Sequence, residues 1–317
     1  MNSSQKVTPM MAQWHQCKKK SKGAHLFFRM GDFYEAFYDD AEIIARELEL
    51  TLTKRQGIPM AGVPVHTIEN YIDRLVAKGF RIAIAEQMED ASQAKGLVRR
   101  DVTRIVTPGT VVNSTLLSEK NNNFFAAVHY EKSLFGLAYL DLTTADFRLI
   151  ECATESELLN ELYTLRPSEL LSSDKCKEKF SSIFNELSSH YSFLHSTQEN
   201  WLFDQKTSEE FLCKHFSVHT LDSYGLQNIT AGITAAGTLL SHLKDNLRLS
   251  LEHIRTIKSY MASEFMGLDY CTQKNLDLTE SQIDGSKRNT LLEILDHTNS
   301  PMGGRLLRQW IKHPLLS

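Results

Sequence analysis

The sequence predicts an α/β protein of more than one domain, and three observations support this prediction. Its 317 residues exceed the usual size of a single domain. Short apolar runs alternate with amphipathic patterns in the front third, which is typical of a compact mixed α/β domain. Three closely spaced strand patterns then follow, and helical patterns dominate toward residue 317.

The overall charge gives little indication of a polyanionic partner, because 35 Lys and Arg stand against 39 Asp and Glu, for a net charge of −4. The distribution along the chain is uneven. Residues 1–110 hold 16 basic and 13 acidic residues (+3), whereas residues 111–317 hold 19 basic and 26 acidic residues (−7). Any nucleic-acid partner is therefore expected to meet the front of the chain.

The sequence contains five scattered cysteines without C-x-x-C spacing: Cys17, Cys152, Cys176, Cys213 and Cys271. This pattern is typical of a reduced cytosolic protein rather than a disulfide framework or a zinc site. No apolar run approaches the roughly 20 residues of a membrane span. Residues 1–6 lack the apolar centre of a signal peptide. A cytoplasmic location is expected.

The first predicted helix starts at residues 8–10, where Thr8 is suited to the N-cap and Pro9 to the first turn. It ends in the basic run 18–22, which suits the C-terminal end of a helix dipole. The sequence leaves open whether this run is a solvated helix end or a phosphate contact.

The most informative stretch is residues 30–37 (MGDFYEAF), between an apolar run that predicts a strand at 26–28 and a helical pattern at 39–50. Gly31 and Asp32 predict a turn. Asp32 and Glu35 are spaced like a capping box, which predicts a helix that begins at Phe33, with Glu35 as a cap. Helical spacing places Phe33 on the buried face. A ligand contact is the alternative for Phe33.

The remainder of the front third predicts further alternation of strands and helices. A strand at 50–53 ends at Lys54 and Arg55, and a rigid, proline-bounded loop is expected at 58–66. Ala61 and Gly62 in that loop either allow close approach of a partner or form an ordinary turn. A helix at 67–78, ended by Gly79, and two strands complete the domain: 80–86 and 102–106.

The second part of the chain predicts an antiparallel meander with strands at 124–130, 134–141 and 145–151, because the turns between them are short. Further elements follow: a helix at 156–165, a strand at 168–171, and a helix at 230–243 whose small residues suit close packing. Three helical patterns complete the chain: 271–278, 289–296, and one from 301 through Trp310.

Four segments, in order, closely resemble the MutS family of bacterial DNA mismatch-repair proteins: 31–35 (GDFYE), 52–55 (LTKR), 58–64 (IPMAGVP) and 104–110 (RIVTPGT). The C-terminal part adds Asp269, Thr272, 275–276 (NL) and 300–307 (SPMGGRLL). The resemblance covers nearly the whole chain and is weakest across residues 175–225. This ordered set is highly specific, whereas a lone Phe-x-Glu would carry no information.

The resemblance implies a particular domain organisation. Residues 1–107 would form a mixed α/β mismatch-recognition domain, and residues 108–122 a linker. Residues 123–250 would form a connector domain with a ribonuclease-H-like fold, and residues 251–317 the start of an α-helical core, or lever, domain.

The resemblance also implies roles for four residues. Phe33 would enter the minor groove and stack on a mispaired base, and Glu35 would form a hydrogen bond with that base in the kinked duplex. Lys54 and Arg55 would contact phosphates, with surface charge and no contact as the open alternative. The implied partners are mismatched double-stranded DNA, the repair protein MutL through the connector domain, and a second copy in a homodimer of the parent protein. The chain itself is expected to be monomeric.

The sequence lacks the phosphate-binding motif G-x-x-x-x-G-K-[ST]. The ATPase domain of the family, with its ATP and Mg²⁺, is therefore expected outside these residues. The chain is expected to be an N-terminal piece of a DNA-stimulated ATPase and not itself an enzyme. No catalytic residue, cofactor or metal is expected within it.

Two rival functions remain open. The meander places Asp141 near a strand end, as in a metal-dependent nuclease of ribonuclease-H type, with Asp146, and Asp174 or Asp222, as further candidates for two Mg²⁺ ions. The structural alternative is acidic turns in a meander. A protein-binding scaffold without a DNA role is the second rival, and the net acidic charge is the argument for it.

Overall fold

The computed structural model describes residues 8–89, 96–112 and 119–316. The chain divides into two compact units, of which the first comprises Met1–Val111 with Asp245–Leu249 and the second Val112–Lys244 with Ser250–Ser317. Each unit contains a six-stranded sheet flanked by helices. The predicted multidomain α/β fold class is therefore confirmed.

The first unit is built on a mixed sheet with the strand order β3-β4-β2-β1-β5-β6. Its elements in chain order are α1 (Pro9–Lys20), β1 (His25–Met30), β2 (Phe33–Phe37), α2 (Tyr38–Leu48), β3 (Thr53–Arg55), β4 (Ile58–Pro64), α3 (Ile68–Ala77), β5 (Ile82–Gln87) and β6 (Arg100–Val106). Strands β1 and β5 are parallel, and the other neighbours are antiparallel. The core contains large, fully buried side chains from strands and helices, among them Phe27, Phe28, Phe37, Ile44, Ile72 and Leu75.

The prediction that a helix begins at Phe33 is wrong. Gly31 and Asp32 form a two-residue loop between the antiparallel strands β1 and β2, with Gly31 at φ +62°, so the hairpin continues at Phe33 as a strand. The helix begins at Tyr38, and Glu35 caps nothing. Pairing of β2 with both β1 and β4 overrides the helical spacing, because a central strand satisfies its backbone on two sides.

The loop predicted at 58–66 is also wrong, because residues 58–64 form strand β4 beside β2 and β3. Its prolines are compatible with this assignment because of where they lie: Pro64 ends the strand, and Pro59 lies beyond the residues that pair with β2, opposite Lys54 of the edge strand β3. The strand predicted at 50–53 lies later, at Thr53–Arg55. The predicted helix around 67–78 and its end at Gly79, with φ +88°, are confirmed.

The basic run at the end of α1 is used within the protein. Lys18 Nζ donates to Asp40 at 2.8 Å, and Lys20 Nζ donates to Asp101 at 2.8 Å. Lys22 Nζ donates to Asn246. The structure therefore favours a packed helix end over a phosphate contact for this run. The predicted helix start is confirmed, because the Thr8 hydroxyl accepts a hydrogen bond from Met11 N at 3.4 Å.

The second unit has a sheet with the strand order β11-β10-β7-β8-β9-β12. Its strands are β7 (Phe124–Glu131), β8 (Leu134–Asp141), β9 (Asp146–Cys152), β10 (Glu169–Ser173), β11 (Leu194–Gln198) and β12 (Lys258–Ser259). Strands β7, β8 and β9 form the predicted antiparallel meander, and β10 adds to it in parallel beside β7. The helices are α4 (Glu155–Leu165), α5 (Asp174–Lys179), α6 (Ser181–His190), α7 (Gln205–Phe216), α8 (Ala231–Ser241), α9 (Tyr270–Asn275), α10 (Leu291–Leu295) and α11 (Pro301–Lys312).

Helix α8 confirms the close packing predicted from its small residues. All of its residues except the last are buried. A Cβ atom at Gly136 of β8 would lie 2.0 Å from the carbonyl oxygen of Ala231, and one at Gly237 would lie 2.5 Å from Ser208 Cβ of α7. The helix therefore approaches both neighbours at backbone distance, which a side chain at either glycine would prevent.

Candidate nucleic-acid interface

Strand β2 displays its side chains alternately on two faces of the first sheet. Phe33 and Glu35 share one face, and Tyr34 and Ala36 share the other. The Phe33 ring is 49% exposed, whereas Tyr34 is 4% exposed. The strand therefore presents an aromatic ring and a carboxylate together on the side opposite a buried anchor.

The anchor behind this face is a polar network around Glu86 of β5. The Tyr34 hydroxyl donates to Glu86 Oε1, and Arg29 Nη1 donates to Glu86 Oε2 at 3.0 Å. Burial raises the pKa of Tyr34, and the hydrogen bond to Glu86 raises it further, so this residue stays protonated as a donor. Phe33 and Glu35 flank Tyr34 in the chain, and the network therefore fixes the backbone from which both project.

Glu35 is paired with a cation from another strand. Arg55 Nη1, on β3, donates to Glu35 Oε2 at 2.8 Å. The Glu35 side chain is 14% exposed and that of Arg55 is 43% exposed. Strand β4 lies between β2 and β3, so the Arg55 side chain spans a whole strand to reach the carboxylate.

A second arginine, Arg100 of β6, contributes positive charge near Glu35, but its guanidinium donates hydrogen bonds to other groups. Its Nε donates to the carbonyl of Arg29 at 2.6 Å and its Nη1 to that of Val98 at 2.8 Å. The guanidinium carbon lies 5.2 Å from the centroid of the Phe28 ring. Burial lowers the pKa of Arg100, and the carboxylate of Glu35 acts in the opposite direction.

Gly62 of β4 is the direct cross-strand neighbour of Glu35. A Cβ atom at position 62 would lie 3.7 Å from Glu35 Cγ and 4.0 Å from Phe33 Cδ1. The glycine therefore leaves the surface between the ring and the carboxylate open. Sequence reasoning suggested close approach of a partner at Gly62 but placed it in a loop, and only the register of β2 and β4 brings it to these two residues.

Lys54 and Arg55 are neighbours on β3 but face opposite sides of the sheet. On β4, Ile58 is the cross-strand partner of Arg55 and Pro59 that of Lys54. Ile58 lies on the same face of β4 as Gly62, the partner of Glu35, so Arg55 shares the face of Phe33 and Glu35. Lys54 is exposed on the other face of this edge strand. Of the four residues named from sequence, the structure thus brings three together and places the fourth at the margin.

The geometry around Asp141 argues against a nuclease site. Asp141 is fully buried, and both of its oxygens accept hydrogen bonds: Oδ1 from Thr143 N at 2.9 Å and Oδ2 from Asn122 Nδ2 at 2.7 Å. Asp146 is paired with Arg148 at 2.7 Å. Across residues 8–89, 96–112 and 119–316, no group of three His, Cys, Asp or Glu side chains could hold a metal ion. Asp141 is therefore a turn-forming residue of the meander.

None of the helices in the described ranges is long and apolar enough to cross a membrane.

The two sheets, each flanked by helices, define the class of this protein as multidomain α/β, with the Phe33 hairpin exposed on the first sheet. Three family models match the chain in order: MutS domain I at residues 8–115, MutS domain II at residues 123–255 and MutS domain III at residues 271–317. The chain belongs to the MutS family.

Curated relatives give the same assignment. The chain is 57% identical over 311 residues to the DNA mismatch repair protein MutS of Protochlamydia amoebophila, an alignment that covers 98% of the chain and 36% of that relative. It is 46% identical over 317 residues to the DNA mismatch repair protein MutS of Chlamydia pneumoniae, an alignment that covers 98% of the chain and 38% of that relative. It is 42% identical over 319 residues to the DNA mismatch repair protein MutS of Ruminiclostridium cellulolyticum, an alignment that covers 98% of the chain and 36% of that relative. The chain thus spans little more than a third of the length of these relatives.

Proposed function

We propose that this chain recognises mismatched DNA in DNA mismatch repair, with Phe33 and Glu35 as the residues that read the mismatch. The observation that carries the proposal is the pairing of a half-exposed aromatic ring with a carboxylate on one face of a rigid hairpin. Membership of the MutS family supports it. Phe33 would stack on a mispaired base from the minor groove, and Glu35 would accept a hydrogen bond from it.

The physical basis is differential stability of the duplex. A mispaired base is cheaper to unstack than a paired one, so an apolar wedge kinks the duplex where stacking is weakest. The carboxylate would oppose binding to ordinary duplex, because the ion pair with Arg55 offsets only part of its repulsion by the phosphates. A mispaired base that offers a hydrogen-bond donor would offset that repulsion, and Glu35 would thereby add selectivity rather than affinity.

Cationic side chains on β3 would supply contacts that position the duplex without reading sequence. Arg55 lies on the face of Phe33 and is 43% exposed, which suits it to this role. Lys54 remains a predicted phosphate contact, which it would make from the outer margin of the sheet. Each such contact adds affinity that falls with salt concentration.

The remaining functions belong to the same proposal and rest on family membership. The parent protein would be a homodimer and a DNA-dependent ATPase in the cytoplasm, with ATP and Mg²⁺ bound by residues outside this chain. MutL would be recruited through the part of the chain that matches MutS domain II. The chain itself would bind DNA without catalysing a chemical step.

The test measures the affinities of a G·T duplex and the matched duplex by fluorescence anisotropy. It uses the chain itself and a chimera in which the chain replaces the matching part of the Protochlamydia amoebophila relative. The unmodified chimera is expected to prefer the G·T duplex. Stacking on aromatic residues contributes about 1–3 kcal/mol per base, so Phe33→Ala is expected to reduce the preference by about tenfold.

A matched control is Trp201→Ala, which removes an aromatic ring that is 70% exposed in the second unit. This variant should retain the mismatch preference. A chimera without any preference for the G·T duplex would overturn the proposed function. A Phe33→Ala variant that discriminates as well as the unmodified protein would overturn the role of Phe33.

A further inference from the structure

The ion pair between Arg55 and Glu35 determines how the carboxylate is presented. Arg55 Nη1 donates to Oε2 at 2.8 Å, and this contact is single rather than bidentate. Within the described ranges, Glu35 Oε1 has no hydrogen-bond partner on the protein. One oxygen is therefore held by the arginine, and the other stays available as an acceptor beside the exposed Phe33 ring.

Arg55 is the cation that can perform this function, because the other nearby arginine is already engaged. Arg100 is held by two backbone carbonyls and by the Phe28 ring, and it makes no hydrogen bond to Glu35 in the described part of the chain. Arg55 reaches Glu35 from an edge strand with its side chain 43% exposed. Because the arginine end of the ion pair is open to solvent, the pair adds limited net stability, and a purely structural purpose explains it poorly.

The position of the pair also matters electrostatically. A lone carboxylate beside the duplex would be repelled by the phosphates at every site along the DNA. Arg55 offsets that repulsion at short range, and it leaves Oε1 without a hydrogen bond to the described part of the protein. The single bond from Arg55 Nη1 also limits rotation of the carboxylate, since an N–H···O bond is directional.

We infer that Arg55 is a positioning residue for mismatch reading: it holds Glu35 Oε2, so that Oε1 is aimed at the base that stacks on Phe33. This inference rests on the proposed function and extends it, because a phosphate contact alone would require no bond to Glu35. The ion pair persists in the complex with mismatched DNA. Arg55 therefore contributes to the choice between duplexes as well as to overall affinity.

A double-mutant cycle in the chimera separates the two roles. Arg55→Gln, Glu35→Gln and the double variant are compared with the unmodified protein on G·T and matched duplexes at several salt concentrations. If Arg55 acts through Glu35, Arg55→Gln lowers the ratio of the two affinities when Glu35 is present but has little further effect on that ratio beside Glu35→Gln. The expected coupling is at least about threefold in the ratio.

Arg55→Lys supplies the conservative variant, which keeps the charge but not the planar fork. It should restore affinity at low salt more fully than it restores the ratio. A matched control is the exposed ion pair between Lys78 and Glu47, at 3.2 Å and away from this face. Lys78→Gln and Glu47→Gln should leave the ratio unchanged, singly and together.

The inference is overturned if Arg55→Gln weakens binding to both duplexes equally and lowers the slope of affinity against salt concentration by about 1, both with Glu and with Gln at position 35. That result is the behaviour of a phosphate contact. This failure is distinguishable from failure of the proposed function. If only the inference about Arg55 fails, Phe33→Ala still reduces the mismatch preference by about tenfold. If the proposed function fails, Phe33→Ala leaves the discrimination between the duplexes unchanged. Thermal unfolding of each variant identifies any loss of folding.

Discussion

Gly62 lies directly opposite Glu35 across strands β2 and β4, and its hydrogen occupies the place where a side chain would separate the carboxylate from the Phe33 ring. Strand β2 thus presents both residues on one open surface. The contacts of this surface, of its anchor and of the core of the first unit lead to three predictions, and the packing of the second unit leads to a fourth.

The first prediction concerns Gly62. A Cβ atom at this position makes ordinary contacts of 3.6–4.0 Å, so Gly62→Ala should fold normally. The two branched methyl groups of Gly62→Val would cover the space between Phe33 and Glu35. We expect the valine variant to lose mismatch preference at unchanged melting temperature, as measured by anisotropy and thermal unfolding. Equal preferences in the Ala and Val variants would contradict the assignment of this surface.

The second prediction concerns the anchor beneath the reading face. Tyr34→Phe removes the hydroxyl that donates to Glu86, which leaves this partly buried carboxylate with Arg29 as its remaining donor in the described ranges. We expect a loss of about 1–2 kcal/mol in the free energy of unfolding, measured by urea denaturation. Tyr71→Phe is the control, because its partly exposed ring lies against Arg74 and should change stability by less than about 0.5 kcal/mol. Similar losses in both variants would argue against the Glu86 network.

The third prediction concerns the pH dependence of stability. Burial raises the pKa of Asp40, but hydrogen bonds from His25, Lys18 and the backbone N–H of Leu26 outweigh burial and hold it below its ordinary value. A carboxyl group whose pKa is lower in the folded than in the unfolded protein makes its full contribution to stability at pH values above its pKa in the unfolded protein. That contribution is lost as pH falls through the folded pKa.

Unfolding free energy should therefore decline as pH drops below about 4, and Asp40→Asn should flatten the decline. At pH 7 this variant should lose about 2 kcal/mol, because the negative charge beside Lys18 is removed and one of the two accepting oxygens becomes an NH2 donor. Denaturation midpoints between pH 3 and pH 7 provide the measurement. Asp39→Asn, at an exposed neighbouring position, should follow the unmodified protein. A slope unchanged by Asp40→Asn would contradict the prediction.

The fourth prediction concerns the contact between β8 and α8. A methyl group at Gly136 would meet the backbone of Ala231 at 2.0 Å and that of Gly232 at 2.4 Å, so the helix would have to shift. We expect Gly136→Ala to destabilise the second unit by about 3 kcal/mol, at the upper end of overpacking effects. Gly267→Ala has nothing within 4 Å and should be neutral. Calorimetry of both variants measures the difference, and matching melting temperatures would refute the close approach.

The local sequence pattern was sufficient to predict the elements whose apolar residues fit either the helical or the strand period, but not both. The apolar faces of α2 and α3 and the short turns of the meander are examples. Local signals failed at Phe33 because residues 33–48 fit a helical period while residues 33–37 also fit a strand. Pairing with β4, which lies more than 20 residues later in the chain, stabilises residues 33–37 as a strand. The same pairing converted the expected loop at 58–64 into a strand.

The candidate site shows the same division. The ordered motifs around Phe33, Glu35 and Arg55 identify the family, because they are properties of the residues in line. The partner of Glu35, the opposite orientation of Lys54 and the opening at Gly62 depend on the register of β3, β4 and β2. A shift of register by one residue moves every side chain to the other face, so these relationships are properties of the sheet.

The sequence by itself determined the multidomain α/β class, the family and which residues to examine. The tertiary structure alone decided that Phe33 is exposed rather than buried and that Arg55 is bonded to Glu35. The physical reason is that exposure and pairing depend on non-local strand contacts, whose free energy outweighs the local preference of residues 33–37 for a helix.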